Sequence, residues 1–79
     1  MMDINVTLDA RQLNCPMPLL KTKKALAKME PGQRLKVLAT DSDSPADFEI
    51  FTHQTGHILL KNARNDQGEY EFIIEKKSA

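Results

Sequence analysis

The most nucleophilic side chain in this sequence is its single cysteine, Cys15, set in Asn14-Cys15-Pro16-Met17-Pro18 where a helical pattern begins. The spacing predicts Cys15 as the helix N-cap and Pro16 as the first helical residue. Proline suits that position because its φ is already helical and its missing N–H would have had no partner. A sulfur atom there lies beside the positive end of the helix dipole. Such a setting lowers a thiol pKa from its usual ~8.5 and favours the nucleophilic thiolate. Of the four amides that a helix start leaves without intrahelical partners, Pro16 and Pro18 supply none. The Cys15 and Met17 N–H groups remain, so the site is not a full anion cradle. The prolines stiffen the loop and hold the thiol outward. A moderately stabilised thiolate suits a group that both forms and releases a covalent bond. The plain alternative is an inert buried cysteine, since free cysteine is among the most buried residue types. Two prolines at a helix start favour the reactive reading.

The remaining polar side chains carry weaker signals. Arg11, Lys21 and Lys24 could add positive potential near the thiolate, or be ordinary solvated charges. Met17, Lys21 and Lys24 are candidates for contacts with a partner protein. His53 and His57 stand four apart, but Gly56 between them ends a helix, and two histidines fall short of the roughly four ligands of a structural zinc site. Asp41, Asp43 and Asp47 read as loop and helix-cap acids rather than cation ligands. No metal and no resident cofactor is expected.

The elements that must position Cys15 follow from periodicity. Ile4, Val6 and Leu8 alternate with polar residues, giving a half-buried strand. Residues 9–14 read as a loop. Leu19, Thr22, Leu26 and Met29 share one helical face, widened by Ala25, while Lys21, Lys24 and Lys28 form a stripe elsewhere, with Lys23 nearby. Pro31-Gly32 stops this helix. Leu35, Val37 and Ala39 mark a second strand. Ser44 as N-cap, Pro45 at the first helical position and Asp47 in the first turn open a second helix. Phe48, Phe51 and Thr52 or Thr55 form its inner face, and Gly56 caps its end. Residues 57–63 form a third strand, Asn65–Gly68 a turn, and Tyr70, Phe72 and Ile74 a fourth, in which Ile73 breaks the polar side. The tail from Lys76 is expected to fray.

The order β-α-β-α-β-β predicts a two-layer α/β sandwich of the α+β kind. It would have a mixed four-stranded sheet with two helices on one face. The first β-α-β should be a parallel crossover and the last two strands an antiparallel hairpin.

At 79 residues the chain is expected to be one domain, 1–79, too small to enclose a deep pocket. The chemistry should therefore lie near the surface. No apolar run is long enough to span a membrane, no secretory signal is visible, and a lone thiol makes no internal disulfide. A cytoplasmic location is the default expectation. Net charge is zero, but residues 1–40 carry seven basic and three acidic side chains, and residues 41–79 carry four basic and eight acidic. That asymmetry points to a charged docking face rather than strong nucleic-acid binding.

The stretch Leu8-Asp9-Ala10-Arg11-Gln12-Leu13-Asn14-Cys15-Pro16-Met17-Pro18-Leu19-Leu20-Lys21 resembles the signature of the TusA/SirA-like sulfur-carrier family. The likeness continues through Pro31-Gly32, residues 35–41, Ala46-Asp47-Phe48 and Thr55-Gly56-His57. It implies a β-α-β-α-β-β sandwich similar to the C-terminal domain of translation initiation factor 3. It also implies a persulfide carried on Cys15, with Pro16, Pro18, Asp9 and Arg11 shaping the loop. Its donor would be a cysteine desulfurase or a rhodanese-type protein. A downstream acceptor protein would take the sulfur for tRNA thiolation, molybdenum cofactor synthesis or sulfur oxidation. The rival readings are a nucleic-acid-binding protein and a regulatory module in which Cys15 only shapes a docking loop. One departure stands out: the family usually has glycine where this chain has Gln12, and glycine would permit a positive φ.

Overall fold

The computed structural model describes residues 3–14 and 16–78. The elements run β1 (Val6–Ala10), α1 (Met17–Ala27), β2 (Arg34–Ala39), α2 (Ser44–Thr55), β3 (Ile58–Arg64) and β4 (Tyr70–Glu75). One four-stranded sheet has the order β1-β2-β4-β3. β1 is parallel to β2, while β4 is antiparallel to both β2 and β3. The predicted mixed sheet and terminal hairpin are both present. The chain's last strand does not stay at the edge beside β3, however. It inserts between β3 and β2.

That insertion follows from composition. Phe72 and Ile74 are fully buried and Ile73 is 7% exposed, so β4 is apolar on both faces. Such a strand belongs in the middle of a sheet, where both edges are paired and both faces can be covered. β3, by contrast, is exposed along most of its length and carries a register shift between Leu59 and Lys61, both features of an edge strand.

On the inner face, Ala10, Leu35, Val37, Ala39, Phe72 and Ile74 meet Leu26 of α1, Phe48 and Phe51 of α2, and Met29. The Phe48 and Phe72 rings stack at 4.2 Å between centroids. Buried threonines keep their hydroxyls satisfied within their own helices. Thr22 Oγ1 donates to the Pro18 carbonyl (2.8 Å) and Thr52 Oγ1 to the Phe48 carbonyl (2.9 Å). This is how polar residues occupy the apolar faces that periodicity assigned to them.

Ile73 lies on the outer face, flanked across the ladders by Lys36 on β2 and Lys61 on β3. Both lysine ammonium groups reach Glu71, two residues along the same face. Their aliphatic stems are thereby drawn over Ile73.

Several boundaries differ from the sequence reading. Asp9 and Ala10 belong to β1 rather than to the loop. α1 begins at Met17, with Pro16 as N-cap and Pro18 in its first turn, one residue later than predicted. α2 instead begins one residue earlier than predicted, at Ser44 with Asp43 as N-cap, so Ser44 is buried inside the helix. Met29 lies past the helix end but still packs into the core, held by its N–H on the Leu26 carbonyl (3.1 Å). The tail does not fray from Lys76. Its N–H donates to the Gln33 carbonyl and its carbonyl accepts from Gly32 N–H (2.9 Å each), while Lys77 N–H donates to His57 Nδ1 (3.1 Å). Gly56, at φ 86°, ends α2 in the left-handed conformation between His53 and His57, as its position predicted.

Candidate functional site

Both helices start at the same end of the molecule as the C-terminal ends of the parallel strands β1 and β2. Pro18 and Leu19 of α1 line one small recess with Ser44, Asp47 and Phe48 of α2. Cys15 itself lies outside the described residues. Of its described neighbours, Asn14 and Pro16 are exposed and Met17 is 42% exposed. Pro18 is buried and anchors the helix start. Lys21 and Lys24 are exposed on α1.

The backbone before the cysteine is fixed from two sides. Gln12 adopts φ 66°, the left-handed conformation that glycine takes most easily. Its N–H donates to Thr40 Oγ1 (2.8 Å), tying the loop to the end of β2. Leu13 N–H turns back to the Ala10 carbonyl (3.4 Å). The chain thus makes with glutamine a turn of positive φ that glycine would make more easily.

Arg11 forms the second anchor. Its guanidinium grips Asp9 through Nε (2.9 Å) and Nη2 (3.0 Å), and Nη1 reaches Glu69 (3.2 Å), just before β4. Its own N–H also donates to Asp9 (3.1 Å). Hydrogen bonds from the Arg11 side chain and backbone pull the Asp9 carboxyl down to about 2, against a small opposing effect of desolvation. Asn65 and Arg11 likewise lower Glu69, and the two carboxylates raise Arg11 above its ordinary value. Asp9, Arg11, Gln12, Thr40 and Glu69 line a polar cleft of about 350 Å³. One cation among two carboxylates adds no net positive potential, so Arg11 orders the loop and is not a free charge for a thiolate. Thr40 and Glu69 escaped the sequence reading. They lie 25 and 54 positions from Cys15, and only the strand pairing brings them to the loop.

The donor count at the helix start is lower than the sequence suggested. Met17 N–H donates to the Asn14 carbonyl (2.9 Å), so it is not directed at an anion. Among the described residues no side chain caps the helix, and its own first turn holds no acidic residue. Asp47 of α2 lines the recess beside Pro18 and Leu19.

Residues 6–76 match the sulfurtransferase TusA family. The sulfur carrier protein TusA of Allochromatium vinosum is 45% identical over 76 residues, covering 96% of this chain and 99% of that protein. The sulfur carrier protein TusA of Pseudomonas entomophila is 38% identical over 74 residues, covering 94% and 91%. The crystal structure of a SirA-like protein from Desulfitobacterium hafniense superposes with a TM-score of 0.81 at 28% identity, covering 92% of this chain and 99% of that one. The likeness runs along almost the whole chain, which belongs to the sulfurtransferase TusA family of sulfur carriers.

Proposed function

We propose that this chain carries sulfur as a persulfide on Cys15 and relays it between two proteins. The observation that supports the reading is that the chain's one cysteine stands in sequence between exposed Asn14 and exposed Pro16, before a helix whose own first turn holds no acidic residue. In the loading step the Cys15 thiolate attacks the outer sulfur of a donor persulfide. The new Cys15 S–S bond forms as the donor S–S bond breaks, and the donor leaves as a thiolate. In the unloading step an acceptor thiolate attacks the outer sulfur of Cys15 and regenerates its thiolate. Each step exchanges one S–S bond for another and needs no outside oxidant or reductant.

The chain is thus a sulfurtransferase in the broad sense, acting with a desulfurase or rhodanese-type donor and a thiol-bearing acceptor. It needs no resident cofactor, and a cytoplasmic site of action keeps the thiol reduced. Asp9, Arg11, Pro16 and Pro18 shape the loop, while Met17, Lys21 and Lys24 meet the partner. Against a nucleic-acid role, Phe48, Phe51 and Phe72 are buried in the core, leaving no row of exposed aromatics for base stacking.

Intact-mass measurement after incubation with a cysteine desulfurase and free cysteine tests this. The expected product is heavier by one sulfur atom, reverts with a reductant, and is absent in Cys15→Ser. A wild-type protein that takes up no sulfur, or a Cys15→Ser variant that does, would refute it.

A further inference from the structure

We propose that the free edge of β1, together with the lysine stripe of α1, binds an extended acidic segment of a partner protein by strand addition. The proposal goes beyond sulfur carriage and does not depend on it.

β1 is an edge strand, paired among the described residues only with β2. In a parallel pair, every second residue of such a strand turns its N–H and C=O away from the sheet. Beside this edge runs a groove of about 420 Å³. Its floor is apolar, with Val6 (37% exposed), Leu8 and Met29, and its rim is Lys21, Lys24 and Lys28. The three lysines follow one another at intervals of three and four, which spans ~10 Å of helix. Groove-facing residues of an added strand recur every ~7 Å, so two or three carboxylates fall within reach.

Charge selects the occupant. The basic half of the sequence loses Arg11, Arg34 and Lys36 to ion pairs with Glu69, Glu75 and Glu71 of the acidic half. Among the described residues, Lys21, Lys24 and Lys28 make no ion pair. A second copy pairing β1 to β1 would bring two lysine rows together and be repelled. A phosphodiester backbone could meet the lysines but could not continue the main-chain ladder. An extended peptide with alternate acidic side chains satisfies both features.

The test titrates isotope-labelled protein with a ten-residue peptide of alternating Glu and Val. Amide shifts and slowed hydrogen exchange are expected along residues 6–10, at equal affinity in Cys15→Ser. Affinity should fall about ten-fold or more in the K24E/K28E double variant, as for a charge-complementary interface, and be lost when alternate peptide residues are proline. Thermal unfolding checks that the double variant folds; if it does not, Lys24→Gln with Lys28→Gln gives the same reading. Absence of shifts along residues 6–10 at millimolar peptide overturns the proposal, as does equal binding of the proline peptide. Tighter binding of an oligouridylate at the same residues, or dimerisation through residues 6–10 without peptide, would assign the surface to nucleic acid or to a second copy instead.

Discussion

Gln12 bears the clearest local conflict between residue type and backbone. A left-handed conformation costs an L-residue about 1–2 kcal/mol. Glycine escapes that cost but loses roughly 0.4–1 kcal/mol through its freer unfolded chain. Gln12→Gly should therefore stabilise the protein by up to about 1.6 kcal/mol, because the bond to Thr40 comes from the backbone N–H and survives. Gln12→Val should destabilise it, since a β-branched residue at positive φ is an outlier. Thermal unfolding of the two variants decides this; equal melting temperatures would remove strain from the account. The cause of the positive φ, a turn seated on Thr40, was not legible in the sequence. That the position suits glycine was.

Among the elements, β4 is the one on which the sheet depends. It pairs on both sides, and Phe72 stacks on Phe48 beneath α2. Phe72→Ala should cost about 3–5 kcal/mol. A 79-residue domain holds only about 4–12 kcal/mol in total, so this one change should remove about a quarter or more of its stability. Leu60, exposed beside the irregularity in β3, should tolerate alanine within about 0.5 kcal/mol. Urea unfolding separates the two cases, and a folded, undestabilised Phe72→Ala protein would show that the core is not organised around this ring. The alternation of Tyr70, Phe72 and Ile74 announced a strand. Ile73 between them hinted at a central one, but its neighbours on either side are set by pairing with β2 and β3.

For the molecule as a whole, His57 joins the end of α2 to the C-terminal tail. Its Nδ1 accepts Lys77 N–H, and its ring lies 6.0 Å from that of Phe51. Burial, then the nearby Lys77 and Lys76 charges, lowers its pKa below the ordinary 6.5 of histidine. The unfolded chain therefore takes up a proton first as pH falls. His57 should support stability fully above about pH 6.5, and that support should decline below it until the folded-state pKa is passed. Urea midpoints of the wild type should fall between pH 7.5 and 5.5. His57→Gln should flatten that dependence; an equally steep decline in the variant would assign it to other groups.

Much of this protein was determined by the sequence alone: the six elements in order, the helix-ending Gly56, the aliphatic faces, and a cysteine set among prolines where a helix begins. These are local properties, written in periodicity and in the φ preferences of proline and glycine. Tertiary structure decided the rest, because it depends on which distant segments meet. Strand order placed β4 in the middle and left β1 with an open edge. Pairing of β2 with β4 joined the basic and acidic halves of the chain, bringing Glu69 to the local Arg11–Asp9 pair and leaving the α1 lysines unpaired among the described residues.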